Sequence, residues 1–369
     1  MPVEFIQENG CRHGQAIGKL LIIPKVVASL IGVHVIGVGI CIPLIWVSCI
    51  VSFGESLVAD VSIHVHGQAP MPLALMLVAA FVGGMAVFSG VYGWCWFRMR
   101  AGRPLIDVMS FVSIWVLGEW LLTWFLSGFP WLFAGYALLD TPLASLAPLG
   151  GVLLVSFVGL LSGLFVFEAW KRPPLFFVAA LPWVVTWLIA DQNWVSPTNR
   201  LNVALVQGNV AQETKWLPES VRPILDRYAS LSDSAWENDL VVWPEASVTV
   251  PYERALTYLN GLADRTEGAL ILGLPILESD LQKGYLQRNA AVVVGDGAGR
   301  YMKRKLVPFG EFVPFERVLR GAITFFNLPM STMRAGAKQQ ALPVAAGLKV
   351  AIVICYEVVY PRLVATDAA

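Results

Sequence analysis

Charged side chains are scarce in this sequence. Asp, Glu, Lys and Arg make up only 14% of its 369 residues, whereas soluble domains carry about a quarter. Lys and Arg together number 26, as do Asp and Glu, so no net charge favours a nucleic-acid partner. Hydrophobic residues reach 56%, which is far above the level of disordered chains. The composition therefore excludes a disordered protein and a simple soluble globule, and the balanced charge does not support a nucleic-acid partner.

The scarcity of charge is confined to the first half of the chain. Residues 1–200 contain nine basic and nine acidic side chains, whereas residues 201–369 contain seventeen of each. A membrane-crossing helix needs about 20 mainly apolar residues. Five stretches fit that requirement, at 26–53, 71–97, 105–126, 141–167 and 173–190. We therefore predict a multispan transmembrane domain over 1–195 and a second domain over 196–369.

Loop charges predict the orientation of these spans, because Lys and Arg remain on the cytoplasmic side. Arg98, Arg100 and Arg103 follow the second predicted span, whereas the loop before that span carries Glu55 and Asp60 and no Lys or Arg. This alternation predicts a cytoplasmic N-terminus and a second domain on the opposite face. The segment 127–144 is short and interrupted by Pro and Gly, so we predict a re-entrant or interfacial segment there.

One carboxylate, Glu119, lies well inside a predicted span. An ionisable side chain at this depth is costly and often functional. The alternative is a carboxyl group that is hydrogen-bonded between helices for structural reasons. The sequence leaves both interpretations open.

The periodicity changes after residue 200. Short apolar runs, each bounded by Gly, Pro, Asn or charge, predict buried strands at 201–207, 240–243, 269–273, 289–294 and 349–354. Amphipathic patterns between them predict helices at 219–231 and 252–263. Strands that alternate with helices are typical of a layered α/β domain.

The second domain contains no histidine, since all four histidines precede residue 67. This absence excludes a Ser-His-Asp triad, a Cys-His dyad and a His-ligated metal in that domain. The domain has one cysteine, Cys355, at the end of a predicted strand. Such a residue is either a small core side chain or a nucleophile whose base is a carboxylate or a lysine. Glu245 and Lys303 also follow predicted strands, so a carboxylate, an ammonium and a thiol are candidates for acyl transfer without histidine.

These residues resemble the Glu-Lys-Cys triad of the nitrilase superfamily: Trp-Pro-Glu ends at 245, Tyr-x-Lys at 303, and Cys-Tyr-Glu begins at 355. Longer strings, Val-Ala-Leu-Val-Gln-Gly-Asn at 203–209, Leu-Val-Pro-Phe-Gly-Glu-Phe-Val-Pro at 306–314 and Gly-Phe-Pro-Trp at 128–131, are similar to the apolipoprotein N-acyltransferase family. The resemblance covers about residues 90–362. It implies a membrane α-helical bundle followed by an α/β nitrilase-like domain, a layered α-β-β-α sandwich.

The resemblance also implies roles for single residues. Glu245 would be the general base, Cys355 the nucleophile and Lys303 the stabiliser of the oxyanion. The supporting residues of the family map onto Trp216, Glu311, Tyr356 and Glu357. Lys305 is an alternative to Lys303 by proximity alone, but the Tyr-x-Lys spacing favours Lys303.

The implied reaction passes an acyl chain from a phospholipid, with phosphatidylethanolamine expected as the donor, through a thioester on Cys355. The acceptor would be the N-terminal amine of diacylglyceryl-cysteine in an apolipoprotein. The family implies a multi-pass protein of the bacterial inner membrane with its catalytic domain on the periplasmic side. We expect a monomer, no cofactor, no metal and no nucleic acid.

The sequence departs from the family at its end, because it stops fourteen residues after Cys355. The family continues with further strands, so we expect the catalytic domain to be incomplete at the C-terminus. Three alternatives stay open: a membrane-tethered nitrilase-type amidase that uses water as acceptor, an inactive truncated remnant, and a transporter. The transporter leaves the second domain unexplained.

Overall fold

A computed structural model describes residues 3–6, 70–131, 133–280, 284–308, 310–312 and 333–368. The chain divides into two compact units. The helical unit is Cys11–Ser196, and the sheet unit is Met1–Gly10 together with Pro197–Ala369. The predicted span at 26–53 lies outside the described residues.

The helical unit contains four described α-helices: α1 (Met71–Met99), α2 (Pro104–Leu121), α3 (Ala147–Ala169) and α4 (Leu175–Leu188). Three helical stretches, Met71–Met99, Pro104–Leu121 and Pro142–Ala169, are long and apolar enough to cross a membrane. Large apolar side chains also point outward, among them Phe177, which is 77% exposed on α4. An apolar surface of this kind fits hydrocarbon better than water. The predicted region of apolar helices is confirmed.

The segment between α2 and α3 forms no α-helix. Three short 3-10 helices follow one another, Phe125–Ser127, Ala134–Leu138 and Pro142–Leu146. The second of them packs closely on α3, since Gly135 donates its backbone N–H to the Ser156 hydroxyl at 2.7 Å. A Cβ atom at Gly135 would lie 2.4 Å from the Val152 carbonyl oxygen, so only glycine permits this contact. The described residues of 127–144 thus form short 3-10 helices and turns, and the re-entrant or interfacial placement stays a prediction.

Glu119 lies on α2 and is only 3% exposed. Its Oε1 accepts hydrogen bonds from the Trp115 indole at 3.1 Å and from the backbone N–H of Ala134 at 2.7 Å. The second bond satisfies a backbone donor at the start of a 3-10 helix, where no intrahelical partner exists. These contacts favour the structural interpretation of Glu119.

The sheet unit is built on a six-stranded mixed sheet. Its strands are β1 (Val3–Ile6), β2 (Val203–Val206), β3 (Leu240–Val242), β4 (Ala269–Asp280), β5 (Gly284–Gly295) and β7 (Arg300–Met302), in the spatial order β1-β2-β3-β4-β5-β7. The first four strands run parallel, whereas β5 is antiparallel to both β4 and β7. Three two-residue strands, β6 (Gly297–Ala298), β8 (Val344–Ala345) and β9 (Leu348–Lys349), form a second sheet.

Alternating side chains of β4 supply two separate cores. Leu270, Leu272 and Leu274 face a cluster that includes helices α5 (Val221–Leu231) and α6 (Tyr252–Ala263). Ala269 and Ile271 face the opposite cluster. Since side chains of a strand alternate between faces, the sheet is covered on both sides. The predicted class, apolar helices followed by an α/β domain, is confirmed.

Two elements differ from the sequence prediction. The run 349–354 was predicted as a strand, but only Lys349 belongs to a described strand, β9, and residues 350–354 have no regular secondary structure. Its apolar side chains Val350, Ile352 and Ile354 pack on the same core cluster, which accounts for the alternating pattern without a ladder of hydrogen bonds. Conversely, β1 pairs in parallel with β2, whereas the sequence analysis assigned residues 3–6 to the first domain.

Candidate active site

Glu245 lies on a tight turn after β3. Trp243 extends the pairing by donating its N–H to the Ile271 carbonyl at 2.8 Å, and Pro244 then ends the strand because it has no donor. Ala246 follows with φ 49°, in the left-handed region that non-glycine residues rarely adopt. The turn lies directly on β4, since a Cβ atom at Gly273 would approach the Glu245 Cα to 2.7 Å. Glycine at 273 therefore allows the turn to place this carboxylate.

Lys303 lies immediately after β7 and is 1% exposed. Its Nζ donates to Glu311 Oε1 at 2.9 Å and to Glu245 Oε1 at 3.3 Å. Burial alone would lower the pKa of this ammonium, but the two carboxylates outweigh burial and the pKa of Lys303 is raised. The side chain is therefore a fixed positive charge at neutral pH.

Glu311 completes the charged cluster from a separate loop. Its Oε2 accepts the backbone N–H of Val307 at 2.8 Å, while its Oε1 faces Lys303. The residue is 7% exposed. The family resemblance implies a supporting role for Glu311, and the structure brings this residue into contact with Lys303.

Asn289 is a functional candidate that the sequence analysis missed. It lies on β5, is 5% exposed, and its Nδ2 donates to Glu245 Oε1 at 2.5 Å and to Glu311 Oε1 at 3.0 Å. The available signal was a polar residue at the first position of an otherwise apolar run. We interpreted that residue only as the boundary of the strand.

Cys355 begins a 3-10 helix, Cys355–Val359, and is exposed. Its φ is 54°, so the nucleophile candidate adopts a backbone conformation that costs of order 1–3 kcal/mol. Partial burial of the thiol and the negative charge of Glu245 raise the pKa of Cys355, whereas the ammonium of Lys303 and the backbone N–H of Tyr356 lower it. The net effect is a raised pKa. The resting side chain is thus a thiol that needs a base.

Glu357 is completely buried and joins the lysine segment to the cysteine segment. Its Oε1 accepts the backbone N–H groups of Arg304 and Lys305 at 2.7 and 2.9 Å. Its Oε2 accepts the Tyr301 hydroxyl at 2.9 Å and the backbone N–H of Ile354 at 3.0 Å. A carboxylate with four donors is well stabilised. Glu357 therefore supports the site rather than facing a substrate.

The structure also describes three further candidates, Tyr356, Trp216 and Lys305. The hydroxyl of Tyr356 is hydrogen-bonded to that of Tyr360, and burial raises the pKa of Tyr356. Trp216 is half-buried, and its indole Nε1 has no hydrogen-bond partner within the described residues. Lys305, the alternative to Lys303, directs its ammonium to the ring of Tyr360 at 4.7 Å. Proximity to the carboxylates thus favours Lys303.

Lys215 is a second residue that the sequence analysis did not single out for a role. Its Nζ donates to the backbone carbonyl of Glu245 at 3.1 Å, and burial lowers its pKa.

Within the part of the chain that the structure describes, no group of three His, Cys, Asp or Glu side chains is arranged to hold a metal ion. The side chains that the structure brings together carry carboxylates, an ammonium and a thiol.

Comparison with known proteins matches both halves of the chain. Residues 41–165 match the apolipoprotein N-acyltransferase N-terminal domain, and residues 202–369 match the carbon-nitrogen hydrolase domain. Apolipoprotein N-acyltransferase of Pseudomonas aeruginosa is 44% identical over 324 residues, covering 84% of this chain and 63% of that protein. The corresponding protein of Photobacterium profundum is 38% identical over 324 residues, covering 82% of this chain and 61% of that protein. The chain thus spans less than two thirds of the length of these relatives.

Proposed function

Because the chain belongs to the apolipoprotein N-acyltransferase family, we propose that it transfers an acyl chain from a phospholipid to the N-terminal amine of a diacylated apolipoprotein. The observation that carries the proposal is the cluster of Glu245, Lys303 and Glu311, whose charges act on the thiol of Cys355. The second half of the chain contains no histidine. A carboxylate base and a lysine are therefore the groups that activate it.

The first half-reaction forms a thioester. Glu245 takes the proton of the Cys355 thiol, and Sγ attacks the ester carbonyl of the phospholipid. The new carbon–sulfur bond gives a tetrahedral oxyanion, which the buried ammonium of Lys303 stabilises electrostatically. The carbon–oxygen ester bond then breaks, and the leaving alcohol takes the proton from Glu245 as lysophospholipid departs.

The second half-reaction consumes the thioester. The α-amine of the diacylglyceryl-cysteine attacks the thioester carbonyl, and Glu245 takes a proton from the attacking nitrogen. The carbon–sulfur bond breaks, an amide remains on the lipoprotein, and the sulfur recovers its proton from Glu245. The raised pKa of Cys355 favours this return to the thiol.

The proposed substrates are both anchored in a lipid bilayer. Among the described residues, three helices are long and apolar enough to cross a membrane, and attachment to one bilayer raises the effective concentration of the reactants. We propose phosphatidylethanolamine as the donor and the bacterial inner membrane as the location, with multiple spans and a periplasmic catalytic domain. The enzyme would act as a monomer.

Intact-mass spectrometry in detergent with phosphatidylethanolamine tests the first half-reaction. We expect an acyl adduct that hydroxylamine removes, that Cys355→Ala lacks and that Cys95→Ala retains. Cys95 is the matched control because it is the other free cysteine among the described residues, on α1. No adduct on the wild-type chain, together with the same result for the chain extended to the length of its relatives, would overturn the thioester mechanism.

A diacylated lipopeptide added to the acylated chain tests the second half-reaction. Transfer of the acyl mass to the peptide is the expected result. Release of free fatty acid with no acylated peptide would instead identify an amidase-like hydrolase that uses water as acceptor.

A further inference from the structure

Two donors and two carboxylates form a closed arrangement at the centre of the sheet unit. The Nδ2 of Asn289 and the Nζ of Lys303 both donate to Oε1 of Glu245 and to Oε1 of Glu311. Lys303 supplies the charge that keeps two carboxylates together, because like charges at this distance otherwise disfavour ionisation. The amide of Asn289 adds no charge, so its contribution must be geometric.

An amide restricts the direction of its hydrogen bonds more than an ammonium does. An ammonium rotates freely on a flexible stem and presents three equivalent donors, whereas an amide presents two N–H groups in one plane. Asn289 is buried within β5, where its backbone carbonyl accepts the N–H of Lys303 at 2.9 Å. The strand therefore sets the direction in which the amide meets Glu245.

Glu245 needs such a constraint, because its own element does not provide one. It lies on a turn, and its side chain is 33% exposed. Among the described residues, the hydrogen bonds recorded for its carboxylate come from Asn289 and Lys303, and both go to Oε1. Two donors occupy the two lone pairs of that oxygen, so Oε2 is the oxygen that remains to accept a proton.

We propose that Asn289 is a positioning residue that holds Glu245 by Oε1 and so directs Oε2 to take the proton from Cys355. This inference rests on the proposed function for the identity of the reaction, but not for the geometry. Asn289 itself touches neither the thiol nor the substrate in this scheme. It acts through Glu245.

Replacing the amide tests the proposal through the rate of thioester formation. Asn289→Ala should lower the rate constant at saturating phosphatidylethanolamine by about 10- to 100-fold, which is the effect of a displaced catalytic group, with the apparent donor affinity unchanged. Gln287→Ala is the matched control, because it removes an amide two residues earlier on the same strand. We expect that variant to react at the wild-type rate.

An isosteric variant keeps the test valid if the alanine variant does not fold. Asn289→Asp places a third carboxylate beside Glu245 and Glu311, so its rate at pH 8 should be lower than that of Asn289→Ala. A carboxyl group between two carboxylates has a raised pKa and donates a hydrogen bond once it is protonated. The rate of Asn289→Asp relative to wild type should therefore increase as the pH falls from about 8 to about 6, which a merely structural role would not produce.

Alkylation of Cys355 by iodoacetamide separates this inference from the proposed function, since it needs no lipid. Glu245 raises the pKa of the thiol, so a variant that releases Glu245 should titrate at lower pH. We expect Asn289→Ala to shift the alkylation profile in the same direction as Glu245→Gln. Wild-type alkylation profiles in both Asn289 variants would overturn the inference, whereas absence of a lipid adduct on the wild-type chain would count only against the proposed function.

Discussion

The two units of this protein bury carboxylates in different ways. In the helical unit, Oε1 of Glu119 accepts from two neutral donors, an indole and a backbone N–H. In the sheet unit, Glu245 and Glu311 share the ammonium of Lys303. A carboxylate that meets neutral donors fixes the path of the chain, whereas carboxylates around one ammonium maintain a charge that chemistry can use.

Glu357 shows that this difference does not simply follow the division into units. It lies in the sheet unit, yet its four recorded donors are backbone N–H groups and a hydroxyl. It therefore resembles Glu119 more than it resembles its neighbour Glu311. The partners of a carboxylate, rather than its burial, indicate which task it performs.

The strongest test of this difference between the carboxylates is to remove the charge of Glu245 while keeping its shape. Glu245→Gln cannot accept the thiol proton, so thioester formation should fall by about 10²- to 10⁴-fold. The same change removes a negative charge that raises the pKa of Cys355, so the midpoint of iodoacetamide alkylation should move to lower pH. A normal adduct rate measured by mass spectrometry would show that Glu245 is not the base.

Removing the shared ammonium should have the next largest effect. Lys303→Met should slow thioester formation by about 10²- to 10³-fold through loss of the oxyanion donor. Because Lys303 lowers the pKa of Cys355, the alkylation midpoint should move to higher pH, opposite to the shift in Glu245→Gln. Lys305→Met is the control, and the proposal fails if that variant loses activity while Lys303→Met retains it.

Glu357→Gln tests whether a carboxylate with neutral donors contributes to stability within the sheet unit. An amide offers one oxygen to four buried donors, and unsatisfied buried groups are costly, so the free energy of unfolding should decrease by about 2–4 kcal/mol. Thermal unfolding in detergent measures the change, with the exposed Glu237→Gln as control. Stability equal to wild type would show that these four hydrogen bonds contribute little.

The smallest effect is expected at Glu119. Glu119→Gln retains an oxygen for Trp115 and Ala134, so the free energy of unfolding should change by less than about 1 kcal/mol, whereas Glu119→Leu should lose about 1–3 kcal/mol. Adduct formation should stay close to the wild-type rate in the glutamine variant. A folded Glu119→Gln protein without activity would assign Glu119 a functional charge and remove the distinction between the units.

The sequence was sufficient to predict the secondary structure that depends on periodicity. Helices α5 and α6 and strands β2 and β3 lie where the apolar patterns placed them, whereas the predicted runs 269–273 and 289–294 cover only part of β4 and β5. Burial of one face leaves a regular signal in the sequence. The prediction of a strand at 350–354 was wrong, because an alternating apolar pattern indicates burial on one face and not the presence of a neighbouring strand to pair with.

The candidate site was predictable in its charged members and not in its geometry. Glu245 and Lys303 carry chemistry in their side chains, so their types and positions after strands indicated them, whereas Glu311 was indicated only by the family resemblance. Asn289 and Lys215 were missed because their importance depends on which atoms they meet across the fold. The left-handed conformation of Cys355, with φ 54°, was also unpredictable, since neither glycine nor asparagine marks that position.

The four hydrogen bonds of Glu357 also have a consequence for synthesis of the chain. Its donors at Tyr301, Arg304 and Lys305 precede it by 56, 53 and 52 residues. At a synthesis rate of about 5–20 residues per second, roughly 3–10 s pass between the synthesis of residues 301–305 and that of Glu357. Cys355 is made only two residues before that acceptor, so the nucleophile and the carboxylate that anchors its surroundings emerge from the ribosome almost together. The one cysteine of residues 201–369 therefore enters the growing chain only about 0.1–0.4 s before the carboxylate that anchors its surroundings.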